Sequence, residues 1–393
     1  MSAAPASISP PASQLHPKAS SQDFYLWLDA FRALAALIVL FSHARDLVFQ
    51  DFDGRWSLVP FYLATSLGRT GVILFFVLSG FWISRSVDAR IAQPNFWRDY
   101  LTARLARLWT VLIPALMLGG ALDYLGLFVL HLPAYQNLVG AHSLSGSIAE
   151  RLNALVFVGN LLFTQTILGP VWGSNGPLWS LAYEYWYYIW YPVIMIVISR
   201  KRSIPWVLLG LSLVIAVLNV SVLFGFGVWL LGMAVQRFPF EPNITPRAKH
   251  MWLLGLTLLL LGTIAANGAA KAVIPDIVVG AVFAIQLAAL RAARLPFPRI
   301  FAAVASFGRS ASFSLYATHF PLVLLLAGLA DGTARFAFGA KGLAVFTAVI
   351  VACVVVAYAF AMIFEKRTDV VRAQMLKLID GVKPGPVRTR GAD

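Results

Sequence analysis

The chain has 393 residues, 59% of them hydrophobic and only 12% charged, with a formal net charge of +14 at pH 7. Soluble domains carry about 25% charged residues, so this composition, with a mean hydropathy of +0.76, excludes a soluble globular protein and implies an all-α, polytopic integral membrane protein. Strand alternation of the barrel type is absent. The basic excess fits cytoplasmic loops and gives no indication of nucleic acid, and the single cysteine, Cys353, excludes an intrachain disulfide.

Residues 1–23 are rich in Ser, Ala and Pro and are predicted to form a disordered cytoplasmic tail, not a cleaved signal peptide. A membrane domain over 24–366 and a basic cytoplasmic tail over 367–393 follow. Apolar runs of about 17–25 residues predict ten transmembrane helices, at 26–48, 61–84, 105–129, 177–199, 204–221, 223–238, 251–267, 273–290, 309–330 and 342–364. The fifth and sixth are divided near Phe224-Gly225, because one helix over both would run about 50 Å against a hydrocarbon core of about 30 Å. A further apolar piece, 152–168, is decided by charge. If it does not cross and the N-terminus is cytoplasmic, 23 of the 31 Lys and Arg lie inside and 7 outside, with Arg32 in the membrane. The positive-inside rule therefore predicts both termini cytoplasmic and a long outer segment, 131–176, holding a buried or re-entrant helix. No internal repeat supports an inverted-repeat transporter.

The first span, LWLDAFRALAALIVLFSHARDLVF, carries an arginine and a histidine. An ionisable side chain inside a membrane helix is costly and normally faces a polar interior. Arg32 and His43 are eleven residues apart, about three turns plus about 20°, so they share a face about 16 Å apart along the axis. They read as a guanidinium near the cytoplasmic entrance and an imidazole deeper in. The plain structural alternative is a snorkelling arginine and a histidine satisfied by a neighbouring helix. In the second span the Ser79-Gly80 pair would let another helix approach closely. In the basic loop FWRDYLTARLARLW that follows it, Arg104 and Arg107 share a helical face. Their guanidinium forks suit phosphate oxygens, and an ordinary positive-inside anchor is the alternative.

The fourth span begins NGPLWSLAYEYWYYIWYP, with Pro177 suited to a first helical turn. Ser180 and Glu184 share a face, and Glu184 lies about 10 Å below the outer boundary. That depth matches His43, so a His–carboxylate pair is expected, with the carboxylate orienting the ring. The surrounding tyrosines and tryptophans read mainly as a packed aromatic core. In the ninth span, GRSASFSLYATHFPLVLLL, Tyr316 and His319 share a face above Pro321, which loosens the helix. They and Ser180 are secondary candidates for lining a polar track. No metal site is read.

Together these stretches resemble the membrane-bound acyltransferase 3 family, which includes O-acetyltransferases of lipopolysaccharide O-antigen, exopolysaccharide, peptidoglycan and some antibiotics. The resemblance covers most of 24–365 and rests on LDAFRALAALIVLFSHA with the spacing of Arg32 and His43, on GVILFFVLSGFWIS, on the Arg-x-x-Arg element at Arg104 and Arg107, on PLWSLAYEYWYYIWYP and on SFSLYATHFPLV. Ala33 stands where the family often has glycine. About thirty residues follow Glu365, with no hydrolase-like domain among them, which implies transfer to the acceptor by the membrane domain or a partner.

The resemblance implies an acyl-CoA donor, most often acetyl-CoA, as substrate and no bound cofactor. Arg104 and Arg107 would hold the CoA phosphates, and Arg32 would guide the phosphopantetheine arm or a phosphate inward. His43, oriented by Glu184, would act as general base on a carbohydrate hydroxyl, free or lipid-linked, or would itself carry the acyl group. The expected setting is the inner (plasma) membrane, multi-pass, among lipids. A transporter or flippase of a lipid-linked glycan is the rival reading, since it needs the same buried polar groups but no CoA site.

Overall fold

Long apolar runs leave a backbone in lipid no partner but itself, and helices satisfy that demand internally. The computed structural model describes residues 19–136, 141–144, 146–199, 205–240, 245–269, 275–330 and 335–381. Its helices in chain order are α1 (Ala19–Val48), α2 (Val59–Ala64), α3 (Gly68–Asp88), α4 (Phe96–Tyr124), α5 (Ala154–Leu161), α6 (Trp179–Ser199), α7 (Trp206–Leu218), α8 (Val220–Arg237), α9 (Pro246–Ala269), α10 (Asp276–Ala293), α11 (Ala302–Ser310), α12 (Ser312–Ala330), α13 (Ala340–Ile363) and α14 (Thr368–Ile379). Among the described residues there is no sheet, only the isolated bridges Phe49–Phe336 and Gln165–Gly169.

Eight segments among the described residues are long and apolar enough to cross a bilayer. Two of the ten predicted spans fall outside that group for different reasons. Helix α6 has 21 residues, about 31 Å, but its Trp and Tyr side chains lower its hydropathy. Helix α7 has 13 residues, about 20 Å, short of the hydrocarbon thickness of about 30 Å. The break between α7 and α8 lies at Asn219, not at Phe224-Gly225. Asn219 is extended (φ −144°, ψ 94°) and its side chain caps α8 by accepting from Ser221 N; asparagine is a preferred N-cap. Gly225 instead sits inside α8 against the Tyr187 hydroxyl. The two predicted tails also contain helix: α1 begins at Ala19, and α14 lies against α4, where Arg98 Nη1 meets Asp380 Oδ1 at 2.8 Å. Residues 1–18 and 382–393 lie outside the described residues.

Segment 152–178 doubles back beside α4. Helix α5 has 8 residues, about 12 Å, too short to cross. On the way in, Trp109 Nε1 donates to Leu161 O at 2.9 Å. On the way out, Trp172 Nε1 donates to Leu116 O at 2.9 Å, and Ser174 N and Oγ each donate to Asp123 at 2.7 Å. Trp109 and Asp123 are fourteen residues apart on α4, about 21 Å. Buried loop backbone must be bonded, and buried side chains do this: Asn160 Nδ2 donates to Val156 O and Pro170 O, and Gln165 Nε2 to Leu178 O. Asn175 completes a helix. Pro321 has no N–H to give Ala317 O, and Asn175 Nδ2 supplies that donor at 2.9 Å.

Small residues set the helix crossings, as Ser79-Gly80 predicted. A methyl group added at Gly80 would overlap the Trp229 carbonyl, and one at Gly232 the Val77 carbonyl, so α3 and α8 touch backbone to backbone. Gly308 admits α11 to the Asp29 carbonyl of α1 in the same way. Gly232→Ala is expected to destabilise the protein by about 1–3 kcal/mol through overpacking. Gly262→Ala, where an added Cβ meets nothing within 4 Å, should be neutral or stabilising by up to about 1 kcal/mol. Thermal unfolding of the two variants in detergent checks the contrast.

Candidate active site

Helices α1, α3, α4, α6 and α12 enclose a cavity of about 180 Å³. Arg32, Arg104, Arg107, Ser180, Glu184 and Tyr316 all line it, so six of the eight sequence candidates converge on one space. The three guanidiniums differ in what holds them. Arg107 Nη2 stands 2.5 Å from Glu365 Oε1, an ion-pair contact rather than an aligned hydrogen bond, and Ser314 Oγ donates to Glu365 Oε2 at 2.6 Å. Arg104 lies 5.7 Å over the Tyr100 ring, with its Nε buried and unbonded. Arg32 is half-buried, and no hydrogen bond or ion pair to it occurs among the described residues: its neighbour Asp29 is taken by Arg309 Nε at 2.8 Å. Three guanidiniums thus face two carboxylates, Glu184 and Glu365. The surplus of positive charge, removed from bulk water, favours an anionic guest.

His43 and His319 form the other part of the site. His43 Nδ1 lies 3.0 Å from His319 Nε2, with ring centroids 5.2 Å apart and planes 22° apart. Phe320 packs edge-on to His43 at 5.1 Å. Tyr316 joins this pair to the cavity. Its hydroxyl donates to Pro177 O at 2.7 Å and pairs with Ser180 Oγ at 2.6 Å, and its ring lies 6.0 Å from that of His319. Arg32 and His43 do share one face of α1: the first opens on the cavity and the second meets α12.

The expected pairing of His43 with Glu184 is not what the geometry shows. Glu184 Oε1 accepts from Tyr188 OH at 2.5 Å, and the partner of His43 is His319. The reason is depth. The start of α6 lies under the re-entrant segment, level with Tyr316 and Ala317 of α12, and Leu178 there is fully buried. Counting residues from that end places Glu184 too near the outer surface. The partners of Glu184 and Arg107 differ in how far the sequence announces them. Tyr188 stands four residues after Glu184 and was legible as a helical neighbour; Glu365 is far along the chain from Arg107 and nothing local announces it. The other α6 aromatics pack as core: Tyr187 OH donates to Val222 O, Trp186 Nε1 to Phe163 O, and Tyr187, Trp190, Phe226 and Trp229 form a ring cluster.

The C-terminal end of α1, beyond His43, is pinned by charge. Asp46 accepts from the Ser143 amide at 2.7 Å, and Arg335 donates to Asp51 at 3.1 and 3.2 Å. The hydrogen bonds from Arg335 hold the Asp51 carboxyl below the usual carboxylate range.

A sequence model of a family described as an acyltransferase domain matches residues 25–362. The chain is similar to acyltransferase MdmB of Streptomyces mycarofaciens, 29% identical over 167 residues, which are 42% of this chain and 38% of that one. It is also similar to protein 2 in the picA locus of Rhizobium radiobacter, 32% identical over 171 residues, 42% of this chain and 79% of that one. No solved structure matches the chain.

A charged thiol reagent tests whether the cavity admits water-borne solutes. Ser79 lines the cavity, whereas Cys353 is 1% exposed. Ser79→Cys is expected to be modified at least about tenfold faster than Cys353, since reactivity follows access and thiolate character; equal rates would show a closed cavity.

Proposed function

The chain belongs to the acyltransferase 3 family, and from that membership we propose that it moves an acyl group, most often acetyl, from cytoplasmic acyl-CoA to a hydroxyl of a cell-surface or lipid-linked carbohydrate, as a multi-pass enzyme of the inner membrane with both termini cytoplasmic. The observation that carries this reading is the convergence of Arg32, Arg104 and Arg107 on one cavity, whose wall residue Tyr316 has its ring 6.0 Å from that of His319, the partner of His43. Guanidinium forks bind phosphate oxygens bidentately. Arg104 and Arg32 lack a carboxylate partner among the described residues and are the two with most to offer a CoA phosphate.

In the direct route His43 takes the proton of the acceptor hydroxyl. The oxygen attacks the thioester carbonyl, the carbon–sulfur bond breaks, and the departing thiolate takes the proton back from His43. In the two-step route the His43 ring nitrogen attacks the thioester carbonyl, the carbon–sulfur bond breaks and CoA leaves as the thiolate; the acceptor oxygen then attacks the acyl carbon, the bond to the imidazole breaks, and the hydroxyl proton ends on the thiolate. Glu184 serves either route from the cavity wall, where it holds Tyr188 and offsets part of the arginine charge.

Membranes holding the protein, given radiolabelled acetyl-CoA and a cell's own glycan, should pass label into glycan. His43→Ala is expected to cut this by about 10²–10⁴-fold while the protein still inserts; transfer at the wild-type rate would refute the assignment. Purified protein should also be stabilised to heat by CoA, and Arg104→Ala and Arg32→Ala should each weaken that effect. Arg107→Ala is the poorer probe, because it leaves Glu365 buried without its partner. No stabilisation by CoA or acetyl-CoA would favour a transporter of lipid-linked glycan.

A further inference from the structure

We propose that His319 is a positioning residue: it holds His43 in the tautomer with hydrogen on Nδ1 and the lone pair on Nε2. The proposal rests on reading His43 as the group that handles the acceptor's proton or carries the acyl group.

The argument begins at the backbone of α12. His319 Nδ1 lies 3.0 Å from Leu315 O and 2.9 Å from Tyr316 O. A carbonyl oxygen only accepts, so Nδ1 carries hydrogen. The ring is 1% exposed, and no carboxylate bonds to it among the described residues. A second ring hydrogen would make it a buried cation with no counter-charge. With hydrogen on Nδ1 alone, Nε2 presents a lone pair. The 3.0 Å contact with His43 Nδ1 is then a hydrogen bond that His43 donates. In a neutral His43 the remaining lone pair belongs to Nε2, because which nitrogen is protonated is set by the bond the other makes. Either chemical route uses a ring nitrogen with a free lone pair, as base or as nucleophile, and in this tautomer that nitrogen is Nε2.

Packing keeps the pair in register. The two rings are near-parallel and Phe320 closes the edge of His43. Tyr316 ties the pair to the cavity, since its carbonyl accepts from His319 while its hydroxyl bonds Pro177 and Ser180. The chain of orientation therefore runs from the cavity wall through Tyr316 and His319 to the ring of His43.

Two substitutions and two readouts test this in the full-length protein. His319→Leu fills the volume without an acceptor; His319→Gln places an amide oxygen about where Nε2 lies. Ring ¹⁵N spectra of histidine-labelled protein, with His43→Gln to assign the signal, should show His43 hydrogenated at Nδ1 in the unmodified protein and in His319→Gln, and at Nε2 in His319→Leu. In acyl transfer His319→Leu should lose about 10²–10⁴-fold in kcat, the scale of general acid–base catalysis, at unchanged KM for acyl-CoA. His319→Gln should recover most of that loss. A His43 signal with hydrogen on Nε2 in the unmodified protein overturns the tautomer. Equal kcat for the Leu and Gln variants overturns the positioning role, since lost packing would not separate them. Absence of acyl transfer in the unmodified protein would fault the enzymatic reading instead, and the ring spectra would then decide the histidine pair alone.

Discussion

A guanidinium inside a helical bundle must be hydrated, paired or held open to an anion, because an isolated charge in lipid is costly. Arg32 meets the condition by facing a cavity. It stands in the middle of α1 with no ion-pair partner among the described residues, and the nearby carboxylate, Asp29, is already bonded to Arg309. Much of the bundle is arranged around that opening. Helix α4 adds two further arginines, α6 one carboxylate and α12 a tyrosine. The glycine contacts that draw α3 onto α8 and α11 onto α1 fix the frame in which the space remains.

The segment that doubles back beside α4 does for that half of the bundle what a full helix would do elsewhere. It runs about 21 Å along α4 and brings its own side-chain donors for the backbone groups it exposes and for the carbonyl that Pro321 leaves unbonded. Because α6 starts beneath it, Glu184 comes level with the arginines and not with the imidazoles. The arginine-lined cavity and the imidazole pair are thereby set apart, with Tyr316 and Ser180 at the junction.

Much of this was legible in the sequence, for reasons that can be named. Apolar runs mark most of the long helices, because lipid leaves the backbone few options, and charge counting set aside the piece at 152–168, whose α5 is too short to cross. Helical periodicity put Arg32 with His43, Arg104 with Arg107 and Ser180 with Glu184, and each pair lies on the face it needs. What stayed hidden depends on contacts between distant segments. The partner of His43 is on α12, and the counter-charge of Arg107 follows α13. Helix length called for a break between α7 and α8 but not for its place: Gly225 serves as a packing site, whereas Asn219 breaks the helix and caps the next one.

Glu365 gives the charge of the cavity an unexpected dependence on the far end of the chain. The carboxylate that balances Arg107 comes from the turn between α13 and α14, and Ser314 anchors it there. With that turn docked, one guanidinium is already neutralised and its fork is held still. With it undocked, Glu184 alone would stand against three guanidiniums. Any anion that replaces the carboxylate at Arg107 lowers the cost of undocking. By reciprocity, undocking strengthens the hold of the cavity on that anion by the same factor. Electroneutrality thus ties the charge balance of a space deep in the bundle to the seat of the turn that follows α13.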